Sequence, residues 1–290
     1  MPLFNYLERN AKQWPDDIAL VELNPEERDT RRVTWKDYDL MHSEPFMPYR
    51  REITWRVFNE KANRCAHFLM ERGVKKGDKV GILLMNCLEW LPIYFGILKI
   101  GALAVPLNFR YAADEIDYCV DLADISVLFF GSEFIGRLEQ IADKIMPHRL
   151  LLYVGAGAFP SFAEDYYHLA MNCDSRNPEI PLTDEDYGAI YFSSGTTGFP
   201  KAILHKHKAL MHAAAVEQNH HGQKKDDVFL CIPPLYHTGA KMHWMGSLVS
   251  GSKAVLLNGP KPEFILKAVQ SSGSLFRGLR IFLTRLTAET

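Results

Sequence analysis

Between Trp55 and Arg72 the apolar residues Phe58, Ala62, Cys65, Ala66 and Leu69 recur at i, i+4, i+7, i+8 and i+11, one face of a helix. Gly73 supplies a stop, and Lys75-Lys76-Gly77-Asp78 has turn chemistry. From there the pattern alternates. Short apolar runs at 80–85, 102–106, 126–130 and 150–154 predict strands, and segments 89–100 and 133–145 predict helices. Asp114 is placed to cap a further helix whose inner face is Ile116, Cys119, Val120 and Ala123. Strands alternating with helices imply an α/β fold, with mostly parallel sheets flanked by helices.

Two stretches break the rhythm. Residues 24–55 are polar and rich in Arg, Glu and Pro, and read as surface strands and loops. They hold a small echo, Arg31-Arg32-Val33-Thr34-Trp35 and Arg51-Glu52-Ile53-Thr54-Trp55, but two copies do not make a repeat architecture. Residues 155–185 are looser, with Gly155, Gly157, Pro160, Pro178 and Pro181, and read as a connection between two structural units. An apolar run at 187–194 and a helix around 207–218 follow.

Composition narrows the class without naming a chemistry. The 290 residues are 47% hydrophobic and 23% charged, ordinary for a globular chain and wrong for disorder. A net charge of -2, from 33 basic and 35 acidic residues, gives no broad footprint for nucleic acid or an anionic membrane. The five cysteines are far apart with no Cys-x-x-Cys pair, which points to reduced thiols in a cytoplasmic protein. The first ten residues lack the apolar run of a signal peptide. The most apolar stretch, 90–107, contains Lys99, Pro92, Gly96 and Gly101; a buried helix and strand explain it better than an integral membrane segment.

The densest chemistry lies in Tyr191-Phe192-Ser193-Ser194-Gly195-Thr196-Thr197-Gly198-Phe199-Pro200-Lys201. Its glycines let backbone N–H groups approach an oxyanion closely, and Ser193, Ser194, Thr196 and Thr197 donate without adding charge. Lys201 adds a cation, and hydrogen bonds to charged groups are worth roughly 1.5–3 kcal/mol each. The spacing is neither a Walker loop nor a dinucleotide fingerprint. On composition alone an anion site and a plain polar loop are equally served.

Seven histidines between His205 and His243 raise the question of a metal, but no His-Glu-x-x-His occurs and no Cys pair stands nearby, so no metal site is assigned. Asp226 and Asp227 read as turn residues. Gly-x-Ser-x-Gly is missing, which disfavours a serine hydrolase.

The glycine- and hydroxyl-rich segment resembles the signature loop of the adenylate-forming superfamily, which includes AMP-binding acyl-CoA synthetases, luciferases and peptide-synthetase adenylation domains. Ala202 stands where that family usually has glycine. Three further segments are similar to family motifs and occur in the family order over roughly residues 50–265. They are Ile53-Thr54-Trp55 with Ala62-Asn63-Arg64 and 73–78; the segment 101–108; and Pro233-Pro234-Leu235-Tyr236-His237-Thr238-Gly239.

The resemblance implies the N-terminal domain of the acyl-CoA synthetase-like fold. It implies ATP-dependent activation of a small-molecule carboxylic acid as an acyl-adenylate, then transfer to coenzyme A, with Mg2+ as metal partner. It places Ser193, Ser194, Gly195, Thr196, Thr197, Gly198 and Lys201 on the phosphates of ATP. It places His237 beside the acyl pocket; without the resemblance a core histidine satisfied by a carbonyl is the better reading. Amino-acid-activating relatives usually carry Phe-Asp where Tyr236-His237 stands, which argues for an acid without an α-amino group. Luciferase-like oxidation stays open.

The likeness fades near residue 270. The expected organisation is a truncated AMP-binding domain over 1–270 and a non-family tail over 271–290, from an altered reading frame or a replacement, with the small C-terminal domain absent. Little complete synthetase activity is then expected of this chain, the alternative being a non-catalytic nucleotide- or protein-binding fragment.

Overall fold

A computed structural model of the chain describes residues 1–24, 49–155, 158–193, 200–259 and 262–271. In order, the elements are α1 (Phe4–Gln13), β1 (Ile18–Asn24), β2 (Tyr49–Thr54), α2 (Trp55–Glu71), β3 (Lys79–Leu83), α3 (Trp90–Lys99), β4 (Leu103–Pro106), α4 (Ala113–Leu122) and β5 (Ile125–Gly131). Then come α5 (Ile135–Glu139), α6 (Ala142–Ile145), β6 (Leu150–Val154), β7 (Glu164–Asp165), α7 (Tyr166–Ala170), β8 (Tyr187–Ser193) and β9 (Lys201–Lys206). The last are α8 (His207–His221), β10 (Val228–Cys231), α9 (Thr238–Ser250), β11 (Lys253–Leu257) and α10 (Pro262–Ser271).

The strands form two sheets. The larger runs β7-β6-β5-β3-β4-β8-β9, parallel except for β9, which returns antiparallel to β8. The smaller runs β10-β11-β1-β2, with only β2 antiparallel. Period-two alternation divides the apolar side chains between layers. Val80 and Ile82 of β3, with Ala254 and Leu256 of β11, join a central core with α1, α2 and α3. Leu83 packs with α4 on the far face of the large sheet, and Val255 and Leu257 pack with Ala268 on the far face of the small one. The order is therefore helix, sheet, helix, sheet, helix.

The expected α2 face is buried throughout, and Gly73 takes the left-handed conformation (φ +82°) that ends the helix. Every residue of α3 is buried, as a helix held between two sheets must be. Its Lys99 is neutralised by Glu8 of α1. Burial holds the Lys99 ammonium down at about 8.

Four expectations are corrected. Residues of β2 are not on the surface: Arg51, Glu52 and Ile53 are buried, because opposite charges pair inside. Asp114 does not cap α4; the cap is Ala112, whose N–H donates to Glu115 at 2.8 Å, so the acid three residues on reaches back. Segment 133–145 is not one helix, since the Ile141 N–H bonds back three residues to Leu138 and separates α5 from α6. Finally, 155–185 does not join two units: β8 pairs with β4, so the connection returns the chain to the sheet it left. The tail residues 272–290 lie outside the described residues. Among the described residues no helix is long and apolar enough to cross a membrane.

Candidate functional site

β8 enters the large sheet as a buried strand and leaves it at Ser193. Gly188, Ala189, Ile190 and Tyr191 are buried, and Tyr191 shares a 2.8 Å hydroxyl–hydroxyl bond with Tyr94 of α3. The hairpin with β9 closes on the pair Ser193–Lys201. Ser193 is half-buried and Lys201 exposed. The intervening Ser194, Gly195, Thr196, Thr197 and Gly198 lie outside the described residues, so the structure places the two ends of the signature segment. Because β8 runs parallel to β4, its end lies on the carboxyl edge of the sheet, where open α/β sheets hold their ligands.

His237 stands on a turn between β10 and α9. Pro233 and Pro234 supply no N–H, so the first backbone donors of the segment are Leu235 and its successors. The Leu235 N–H donates to Asn86 Oδ1 at 2.8 Å, and the Asn86 amide donates to the carbonyls of Pro233 (3.0 Å) and Leu257 (3.3 Å). The His237 N–H closes the turn on the Pro234 carbonyl at 3.0 Å, leaving the His237 side chain exposed. The Tyr236 ring stands edge-on to Phe109, with centroids 5.3 Å apart, and burial lifts its phenol above the ordinary range against the opposing effect of Arg110. Phe109 is itself fixed, since Arg137 donates to the carbonyls of Phe109 and Tyr111.

These two segments share an edge. Ala104 of β4 pairs in parallel with Ala189 of β8, so the two strands end on the same edge of the sheet, β4 at Pro106 and β8 at Ser193. Ser193 and Lys201 thus stand at the end of β8, and His237 is tied through its neighbour Tyr236 to Phe109, three residues beyond the end of β4. A cavity of about 120 Å³ lies elsewhere, by the ends of β3, β5 and β6, lined among others by Glu22, Arg51, Cys87, Glu89 and Tyr167.

The histidine-rich stretch is put to several uses. His207 is buried, with Nδ1 accepting the Leu3 N–H, and burial pushes it down to about 4. His221 meets Glu217 at 3.0 Å across one turn of α8. Among the described residues no group of three His, Cys, Asp or Glu side chains is placed to hold a metal. Asp227 is a turn residue, accepting the Lys224 N–H at 2.8 Å. Burial pushes the thiols of Cys65 and Cys231 up to about 12, which makes them inert.

Sequence reasoning missed Asn86 and Phe109. For Asn86 a signal existed: a single amide within the apolar run Leu83-Leu84-Met85-Asn86-Cys87-Leu88, just past the carboxyl end of a strand. Its partners, near residues 233 and 257, gave no signal.

Comparison with known proteins gives the class to which this fold belongs. The family described as AMP-binding enzyme matches residues 7–274, and the chain belongs to it. Among similar proteins, the 3-oxocholest-4-en-26-oate–CoA ligase of Rhodococcus rhodochrous is 29% identical over 234 residues, 74% of this chain and 41% of the relative. The long-chain-fatty-acid–CoA ligase FadD13 of Mycobacterium tuberculosis is 31% identical over 189 residues, 65% of this chain and 36% of its own. The anthranilate CoA ligase AuaEII, solved with anthranoyl-AMP, superposes with a TM-score of 0.76 at 25% identity, covering 89% of this chain and 45% of that one. The chain thus spans about four-tenths of the length of the curated relatives it matches.

Proposed function

We propose that these residues form the phosphate-gripping and acid-side part of an acid–CoA ligase, an enzyme that activates a carboxylic acid with ATP and passes it to coenzyme A. The reading is carried by one observation: Ser193 and Lys201, the two ends of a glycine- and hydroxyl-rich segment, pair at the carboxyl edge of a parallel sheet. Family membership supports it, as does the nature of the relatives, which are CoA ligases for acids as different as a cholestenoate and a long-chain fatty acid.

In this reading Ser193, Ser194, Gly195, Thr196, Thr197, Gly198 and Lys201 hold the β- and γ-phosphates of ATP and then the departing pyrophosphate. The donor set fits a polyphosphate: neutral donors in number, and one cation on a strand end. Mg2+, when bound, neutralises phosphate charge. The acid needs no general base, because a carboxylate is already ionised near neutral pH. What opposes the reaction is the approach of one anion to another, which prearranged donors relieve as negative charge builds on the leaving group. His237 borders the acid and donates to it or closes its pocket. The acid carries no α-amino group, and the thiol of coenzyme A takes the acyl group from the adenylate. Residues 1–270 are part of the large domain in this assignment, and the family match runs on to residue 274.

The test is equilibrium binding of Mg-ATP to the 290-residue chain and to Lys201→Ala. Loss of one charged contact is expected to weaken binding about tenfold or more. Equal affinities for the two proteins would remove Lys201 from the site, and no binding by either would sink the reading.

A further inference from the structure

We propose that Asn86 is the positioning residue for His237, setting where the imidazole stands relative to the large sheet; this rests on the acid-side role assigned to His237 above. Asn86 follows β3 of the large sheet and is buried. Its side-chain amide is used in full. Both Nδ2 protons go to carbonyls, of Pro233 and Leu257, and Oδ1 accepts from the Leu235 N–H. All three partners belong to segments at or beyond the ends of strands of the small sheet. One side chain therefore fastens the loops of the small sheet to the end of the large one.

The need for it follows from the two prolines. A Pro-Pro step offers the fold no N–H, so the loop at 233–234 cannot be held by backbone donation. It is held instead through its carbonyl at 233 and through the N–H at 235. Only Tyr236 separates that fastening from His237, and Tyr236 is anchored on Phe109. The turn bond from the His237 N–H to the Pro234 carbonyl then carries the placement onward. Asn86 touches no atom of the imidazole among these bonds; it acts through the backbone that bears it.

Asparagine suits the position and aspartate does not. A carboxylate there would keep an acceptor for Leu235 but would turn a second oxygen toward two carbonyls, where like partial charges repel. Asn86→Asp is thus a one-atom test that keeps the shape of the side chain.

The experiment follows the imidazole itself. Histidine ring signals of the full chain are recorded by NMR, with His237 assigned through His237→Gln. Asn86→Ala and Asn86→Asp are expected to shift the His237 signal. Asn63→Ala is the control: it removes another buried amide, on α2, that donates to the Ser175 carbonyl at 2.7 Å, and is expected to lower stability without moving His237. A second readout is affinity for the acyl-adenylate mimic 5′-O-(N-dodecanoylsulfamoyl)adenosine. His237→Ala and Asn86→Ala should each weaken it about tenfold, and the double variant no more than either alone, as coupled groups behave. Failure of the wild-type chain to bind the mimic would count against the role given to His237, while the NMR arm still decides the positioning. If Asn86→Ala does not fold, Asn86→Asp carries the test. An unshifted His237 signal in a folded Asn86 variant, or additive losses in the double variant, overturns the proposal.

Discussion

At Arg51 the chain buries a cation, and at Lys201 it leaves one in water. Arg51 lies between two acids, with Nη2 at 2.9 Å from both Glu22 and Glu89, and Lys61 stands 3.8 Å from Glu89. Burial works to raise the Glu89 carboxyl, yet Arg51 and Lys61 outweigh it and hold the group below its ordinary range. Burial brings Lys61 down to about 8. The cluster balances its own charge, two acids against two bases, and a charged ligand would gain little from it. Lys201 faces Ser193 across the mouth of a hairpin, exposed. Charge closed on itself inside a protein holds segments together, whereas charge left on the carboxyl edge of a parallel sheet is at the disposal of a ligand.

The largest effect expected from this contrast is on stability at Arg51. Arg51→Ala strands two buried carboxylates, and breaking a buried pair from one side costs about 3–5 kcal/mol. Urea unfolding should show a loss of that size. A loss under about 1 kcal/mol would mean that the cluster is wetter and weaker than its geometry implies.

The hairpin region is not wet throughout. One residue beyond β9, His207 is buried among α1 and α8, with its imidazole held near 4. The groups facing it are Asp186 and Asp184, which favour its protonated form, and the chain-terminal ammonium, which opposes it. An unfolded chain takes up that proton below its ordinary pKa near 6.5, whereas the folded chain does so only near 4. The stability this group contributes is therefore complete above about 6.5 and is lost as pH falls toward 4, by about 2 kcal/mol between pH 7 and pH 5. Unfolding curves at the two pH values measure it, against His207→Gln, whose slope should be flatter. Equal slopes would leave the imidazole free to ionise in the native state.

What the sequence disclosed, and what it hid, divides along the same line. The β3–α3–β4 unit was legible because apolar runs of the right length announce buried elements, and Gly73 announces a left-handed helix end. The signature segment stood out because glycines, hydroxyls and a lysine occur together, and the structure pairs its two ends, Ser193 and Lys201. β2 was misread because its Arg and Glu residues look like surface until their partners, far along the chain at Glu22 and Glu89, are known. β9 was missed because most of it is exposed, Ile203 and Leu204 included, so no alternation marks it. Asn86 was missed because its partners lie 147 to 171 residues away. Local pattern carries secondary structure, and polar pairing across the fold does not show in it.

The smallest expected effect completes the contrast. Lys201→Ala should change the unfolding free energy by no more than about 0.5 kcal/mol, as exposed substitutions generally do. Its side chain lies in water at the start of an edge strand, so truncation opens no cavity and strands no buried charge. Paired with the binding measurement, this separates two explanations of a weakened nucleotide affinity. A stable variant that binds about tenfold less tightly has lost a contact to the ligand. A variant that loses more than about 1.5 kcal/mol of stability has lost part of the hairpin, and its weaker binding would then report a displaced strand. In that case Lys201 would belong with Arg51, and the distinction between a cation that serves the fold and one that serves the ligand would have to be given up.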